Sequence, residues 1–199
     1  PSDRRIGTRR GRIGRGIPKR LVASMVMNDD VRLRPVAEDD LPVLERFQQD
    51  PDAASVFGWF GWRSPGFWRR LWDEGRVIGD DAGRLMVVRG ADRLGFVSWN
   101  RIQTSLTSYC WNMGIALLPE ARGHGYGTVA QRLLVRYLFA HTQVNRIEAS
   151  TEVDNLAEQR ALEKAGFTRE GVLRGIAFRN GRWRDGVRYS MVRDDIRLD

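Results

Sequence analysis

The chain has 199 residues, of which 42% are hydrophobic and 29% charged, with a formal net charge of +8. That is the size of one ordinary domain with a single buried core, and the composition excludes wholesale disorder. No apolar run approaches the roughly 20 residues needed to span a bilayer, and no secretory segment stands out, so a cytoplasmic protein without a membrane partner is the expectation. A single cysteine, Cys110, excludes an internal disulfide framework, and beside only His124 and His141 it leaves no set of ligands for zinc, so no metal is expected.

The basicity is not spread evenly. Arg4, Arg5, Arg9, Arg10, Arg12, Arg15, Lys19 and Arg20 face Asp3 alone, and the rest of the chain is close to neutral. Residues 1–26 therefore read as a basic, disordered tail, either a native arm or sequence upstream of the true start, since Met25 and Met27 both precede an ordinary domain at 27–199. Non-specific contact with polyanions is the most such a tail implies.

In chain order, Val31 to Val36 alternates apolar and polar residues as a strand does. Glu38, Asp39 and Asp40 then place negative charge at the start of a helix whose stripe is Leu41, Leu44 and Phe47. A short helix is expected from Pro65 to about Gly75, and strands over Leu85–Val88 and Leu94–Trp99 joined by a turn. Tyr109 to Leu118 is a further strand, stopped by Pro119. A glycine-rich turn, Gly123–Gly127, opens a long helix to His141. Arg146 to Val153 reads as a strand, Leu156 to Ala165 as a helix ended by Gly166, and the remainder to Val192 as a hairpin turning at Asn180-Gly181. The order describes an α/β mixture with a partly antiparallel sheet.

The turn carries the chemistry. Alternate glycines let successive N–H groups face one anion, and the following helix adds its own free N–H groups and positive dipole end. Arg122 can add a charged contact. A plain flexible loop before a helix fits the same pattern, and the spacing is neither a dinucleotide fingerprint nor a Walker loop.

Arg122-x-x-Gly125-x-Gly127 resembles the acetyl-CoA signature of the GNAT superfamily of N-acetyltransferases. Asn155, followed by a helix that ends in Glu163-Lys164-Ala165-Gly166-Phe167, resembles the second landmark of that family. Glu170-Gly171 to Arg174, Trp183 to Asp185 and Tyr189-Ser190 resemble the Rim branch, the ribosomal-protein N-terminal acetyltransferases. The likeness spans about Val31 to Asp195. It implies a mixed, mostly antiparallel, splayed sheet flanked by helices, with acetyl-CoA in the splay. It further implies that backbone groups at Ile115, Ala116 and Leu117 hold the pantetheine arm, that Arg122, Gly123, His124, Gly125, Tyr126, Gly127 and Thr128 hold the pyrophosphate, and that Asn155 contacts the arm. Direct attack by the amine in a ternary complex is implied, so Cys110 is read as a core residue rather than a nucleophile.

The chain departs from family patterns where acid and base are usual. Asn112 stands where many members carry Glu, Leu162 where many carry Tyr, and Glu158 where the Rim branch often carries Ser. Glu158 and Asn112 are the candidate catalytic residues, although a first-turn carboxylate also suits a helix start. Glu148 and Glu152, on one face of a strand, are weaker candidates or solvated charges. A lysine-like amine is only about one part in 2,500 neutral at pH 7 and a peptide α-amine about 14%, so a site without a strong base suits the α-amine.

Phe57, Trp59, Phe60, Trp62, Phe67, Trp68 and Trp72 crowd one short stretch. Trp68, Leu71 and Trp72 have helical spacing and read as core. Trp59, Phe60 and Trp62 are candidate acceptor-binding residues, with core packing or a dimer interface as the alternatives. The leading expectation is acetyl transfer to a protein or peptide N-terminus by a monomer or homodimer. Acetylation of a small-molecule amine, or CoA binding without turnover, are the other readings.

Overall fold

The structure, a computed structural model, describes residues 30–196, so the expected tail at 1–26 lies outside the described residues. The strands are Val31–Pro35 (β1), Ala82–Arg89 (β2), Asp92–Gln103 (β3), Tyr109–Leu117 (β4), Arg146–Glu152 (β5), Thr168–Arg179 (β6) and Arg182–Val192 (β7). The helices are Leu41–Gln49 (α1), Pro51–Ala54 (α2), Phe67–Asp73 (α3), Tyr126–His141 (α4) and Leu156–Ala165 (α5). The strands form one seven-stranded sheet in the order β1-β2-β3-β4-β5-β7-β6. Neighbours are antiparallel except β4 and β5, which run parallel.

Two layers of helix cover the sheet. On one face, Val129, Leu133 and Leu134 of α4 and Leu162 of α5 pack on Val97, Trp111, Met113, Ile147 and Ala149. On the other, α1 and α3 bring Leu41, Leu44 and Trp68 onto Met86 and Val88. This explains why Leu85–Val88 is apolar without alternation. Leu85 and Val87 face the α4 side while Met86 and Val88 face the α1 side, so the strand is buried on both faces.

A buried carboxylate fixes the first corner. Asp40, wholly inaccessible, accepts from both Arg34 (2.5 and 2.7 Å) and Arg93 (2.6 Å) and from the Ala37 N–H (2.8 Å). Burial alone would raise its pKa, but the hydrogen bonds from Arg34, Ala37 and Arg93 outweigh it and hold the group at about 2. The ladder of charge joins β1, the turn before α1, and β3.

The elements differ from the expected ones mainly at their ends. The helix expected over Pro65–Gly75 is confined to Phe67–Asp73, because Gly66 sits in the left-handed region (φ 74°) ahead of it. The short helix α2 was not expected. Asp50 caps it by accepting from Asp52 N–H at 2.9 Å, and Pro51 occupies its first position. The β6–β7 hairpin turns at Asn180 and Gly181, both with positive φ (51° and 72°), as a two-residue turn of that sequence requires.

Candidate active site

The site begins where the sheet comes apart. β4 pairs with β3 over all of Tyr109–Leu117, yet meets β5 only at Trp111–Met113 opposite Ile147–Ala149. Past those rungs β4 continues to Leu117 and β5 to Glu152 with no ladder between them. A cleft of about 990 Å³ opens there, walled by Gly114, Ile115, Ala116 and Leu117 on one side and by Ala149–Glu152 on the other.

The glycine turn closes one end. Gly123 and Gly125 both have φ +80°, a left-handed conformation that side-chain-bearing residues rarely adopt, and a Cβ at either would meet only open space. Gly125 precedes the 16-residue helix α4 without a side-chain cap, so the N–H groups of Tyr126, Gly127 and Thr128 have no acceptor within the helix. Gly123, Gly125, Gly127 and Thr128 line the cleft. An anionic diphosphate fits such a concavity of free N–H groups and dipole.

Other residues of the expected set lie differently. Arg122 lines the cleft, but its guanidinium is turned onto backbone carbonyls: Nε to Leu117 O at 2.9 Å, and the terminal nitrogens to Asp52 O at 3.3 Å and to Ala53 O. It staples the end of β4 to α2 rather than pointing into the turn. His124 and Tyr126 are outside the cleft lining and stack on each other at 5.5 Å, with the Tyr126 hydroxyl accepting from Arg89 at 2.7 Å. Asn155 lines the cleft and caps α5: its Oδ1 accepts from Glu158 N–H (3.3 Å) and its Nδ2 donates to Thr151 Oγ1 (2.9 Å). Asn112 is away from the lining, with its amide 3.4 Å from Asn100 Oδ1. Of the aromatic candidates, Phe60 lines the cleft, whereas Trp59 and Trp62 pack edge-to-face outside it and Trp62 is 74% exposed. Trp68 is core, as its spacing indicates.

Glu158 stands on the cleft wall, on α5. Its Oε1 accepts from Gln131 Nε2 at 2.6 Å. Burial raises its pKa from the usual carboxylate value to about 7, against the opposing pull of the Gln131 hydrogen bond. It is therefore a carboxyl group that exchanges a proton near neutrality, the property an acid or base catalyst needs. Gln131 itself is wholly buried on α4, and its Oε1 has no partner. Its signal in the sequence is a polar residue inside an apolar helix stripe.

Glu148 and Glu152 are not the solvated charges their spacing allowed. Both are buried, and each is taken up by arginine. Glu148 accepts from Arg146 (2.8 Å) and pairs with Arg188 (3.0 Å); Glu152 accepts Arg179 at both oxygens (2.7 and 2.6 Å). Cys110 is buried beside Glu148, and burial, reinforced by that charge, pushes its thiol pKa up, the reverse of a nucleophile's environment. Among the described residues no cluster of His, Cys, Asp and Glu is placed to hold a metal ion, and no helix is long and apolar enough to cross a membrane.

Comparison with known proteins adds a frame for this geometry. The chain is 46% identical over 120 residues to a probable N-acetyltransferase, YjcK, of Bacillus subtilis, covering 60% of this chain and 57% of that one. The chain spans about half the length of the curated relatives it matches. Among solved structures, spermidine N-acetyltransferase of Vibrio cholerae, in complex with CoA and spermine, superposes with a TM-score of 0.73 at 20% identity over 83% of this chain and 97% of that one. RimJ of Mycobacterium smegmatis, in complex with CoA-disulfide, gives 0.70 at 19% identity over 83% of each chain. At these identities the two structures share the fold alone. The model of the acetyltransferase (GNAT) domain matches residues 30–168, which include the splayed strands, the glycine turn and both flanking helices. The chain belongs to the GNAT acetyltransferase family.

Proposed function

We propose that the protein is an acetyl-CoA-dependent N-acetyltransferase whose acceptor is the α-amine of a protein or peptide. CoA supplies the acetyl group as a thioester. The backbone of Ile115–Leu117 would hold its pantetheine arm along the open edge of β4, and the Gly123–Thr128 turn would hold its diphosphate. A backbone N–H on that edge would polarise the thioester carbonyl. Glu158, neutral below about pH 7, would give its proton to the departing thiolate and regain one from the attacking nitrogen as the amide forms.

One observation carries the choice of acceptor. The two buried carboxylates of β5, Glu148 and Glu152, have every oxygen engaged by a guanidinium. Neither is free to take a proton from an incoming ammonium, and Asn112 and Leu162 carry no charge. With Glu158 serving as the acid, no second carboxylate is left to deprotonate an ammonium, so the amine arrives neutral, which an α-amine near pKa 7.8 does far more often than a lysine-like one. The same pairing leaves those carboxylates no charge to attract a polycation. A putative ribosomal N-acetyltransferase, YdaF, among the relatives is in keeping with this reading. A small-molecule amine is the second reading, favoured by the apolar mouth of the cleft, where Val56, Phe60 and Ile176 are all more than half exposed.

The test is thiol release from acetyl-CoA against peptides, polyamines and small amines. Selective turnover of peptides is expected, with kcat/KM forming a bell centred between the Glu158 pKa of about 7 and the amine's at about 7.8. In Glu158→Gln, turnover should fall roughly 100-fold or more with CoA affinity retained. Turnover of polyamines alone would overturn the acceptor, and CoA binding without turnover of any amine would overturn catalysis.

A further inference from the structure

The β6–β7 hairpin borders the cleft through Ile176, Ala177 and Gly186. Its register sets Arg184 opposite Ala177 and Arg182 opposite Arg179. Residues directly opposite in an antiparallel pair share a face. Arg179 reaches from that face to Glu152, itself part of the cleft wall. Arg182 and Arg184 therefore stand on the side of the hairpin that the cleft opens onto.

Three carboxylates of this face are already paired, and a fourth, exposed Asp154, stands near Arg179 without an ion pair among the described residues. Glu148 is held by Arg146 and Arg188, Glu152 by Arg179, and Glu170 by Arg146 and the Ser190 hydroxyl. Asp185, on the opposite parity of β7, accepts the Gly175 N–H at 2.7 Å. Among the described residues neither Arg182 nor Arg184 forms an ion pair. Arg182 is exposed. Arg184 is half-buried, and its Nε is shielded from water without a hydrogen-bond partner. Shielding a guanidinium donor with nothing to bond is costly, and an anion on the outer nitrogens of Arg184 would set a countercharge beside it.

We propose that Arg182 and Arg184 form an anion-recognition site for the acceptor, which is a peptide carrying a carboxylate side chain within the first few residues after the reacting amine. The inference rests on the α-amine reading above and narrows it. A peptide fits better than a nucleic acid because the adjoining rim offers aliphatic Val56 and Ile176 beside Phe60, a surface for apolar side chains, while the Phe57 ring is already occupied by Arg179 at 5.6 Å. The surplus positive charge also repels a polyamine.

The experiment uses the full chain and three peptides alike at the first residue, with Glu, Gln or Lys at the second and third. Acetyl transfer is followed at two salt concentrations, and binding of each peptide to the CoA complex is followed by calorimetry. The glutamate peptide should exceed the lysine peptide in kcat/KM by about tenfold or more at low salt, less at high salt. In the double variant Arg182→Gln, Arg184→Gln the ratio should fall toward one, and Arg184→Glu, a second variant on the same surface, should invert it. A ratio near one in the parent protein overturns this inference while leaving the α-amine reading intact. Arginine-dependent binding of the glutamate peptide without transfer supports the anion site and counts against the α-amine reading. If single-stranded RNA binds in an Arg182- and Arg184-dependent way while the peptides bind equally, the face is a nucleic-acid surface and the proposal is wrong.

Discussion

Glu158 and Gln131 form a pair in which each residue makes sense only through the other. The amide engages one carboxylate oxygen, so the proton of the neutral acid resides on the other. Burial is the larger influence on the carboxyl and favours the neutral form; the Gln131 N–H favours the ionised one. Removing that hydrogen bond should therefore raise the Glu158 pKa further. In Gln131→Leu the alkaline limb of the kcat/KM profile should move up by about one pH unit, the equivalent of one hydrogen bond of roughly 1 kcal/mol. A pH-rate profile at saturating donor checks it. A limb that stays in place would mean that Glu158 is not the group titrating. A side chain that merely packs would lower the whole profile without shifting it.

Between elements, the Arg122 guanidinium is the joint. It binds carbonyls of β4 and of α2, and so sets where the edge of β4 stands relative to the residues that lead into the aromatic loop. Burial lowers its pKa, but it remains a cation spread over several carbonyl oxygens. Arg122→Met should cost on the order of 2 kcal/mol, seen as a lower urea midpoint, and should raise KM for the donor because the glycine turn follows directly. Arg122→Lys should recover little of it, since a single ammonium cannot serve the same fork of contacts. How far the site was legible in the sequence follows from the same distinction between local and distant. The glycine turn, the helix stop at Gly166 and the apolar stripe of α1 are local patterns and could be read directly. The use of Arg122 could not, because its partners Asp52 and Ala53 belong to a four-residue helix that four residues of sequence scarcely specify. Nor could the environment of Glu158, whose partner lies on another helix, or the burial of Glu148 and Glu152, for which Arg188 and Arg179 arrive from other strands and only Arg146 is near in sequence. The exposed aromatics divided for a similar reason: helical spacing placed Trp68 in the core, whereas Trp59, Phe60 and Trp62 sit in a loop, where spacing carries no information on direction.

At the scale of the molecule, the sheet is two antiparallel halves, β1–β4 and β5-β7-β6, joined by a three-rung parallel ladder. Beneath that ladder α4 and α5 lay one continuous apolar core across both halves. The halves thus share their main cooperative support while sharing little backbone. So short a ladder should open locally at a cost well below that of global unfolding, since Leu134 and Leu138 of the shared core lie on α4 and not in its rungs. Hydrogen exchange reads this directly. Amides of Gly114–Leu117 not bonded to β3 should exchange quickly in the free protein and slow by roughly 10-fold or more with CoA bound, while those of Leu85–Val88 stay unchanged. Equal protection along both strands before CoA is added would contradict it. Seen this way, the donor is a structural member as well as a reactant. On that prediction the protein would be mechanically unfinished between turnovers, each binding event tightening the sheet that the following release must loosen again.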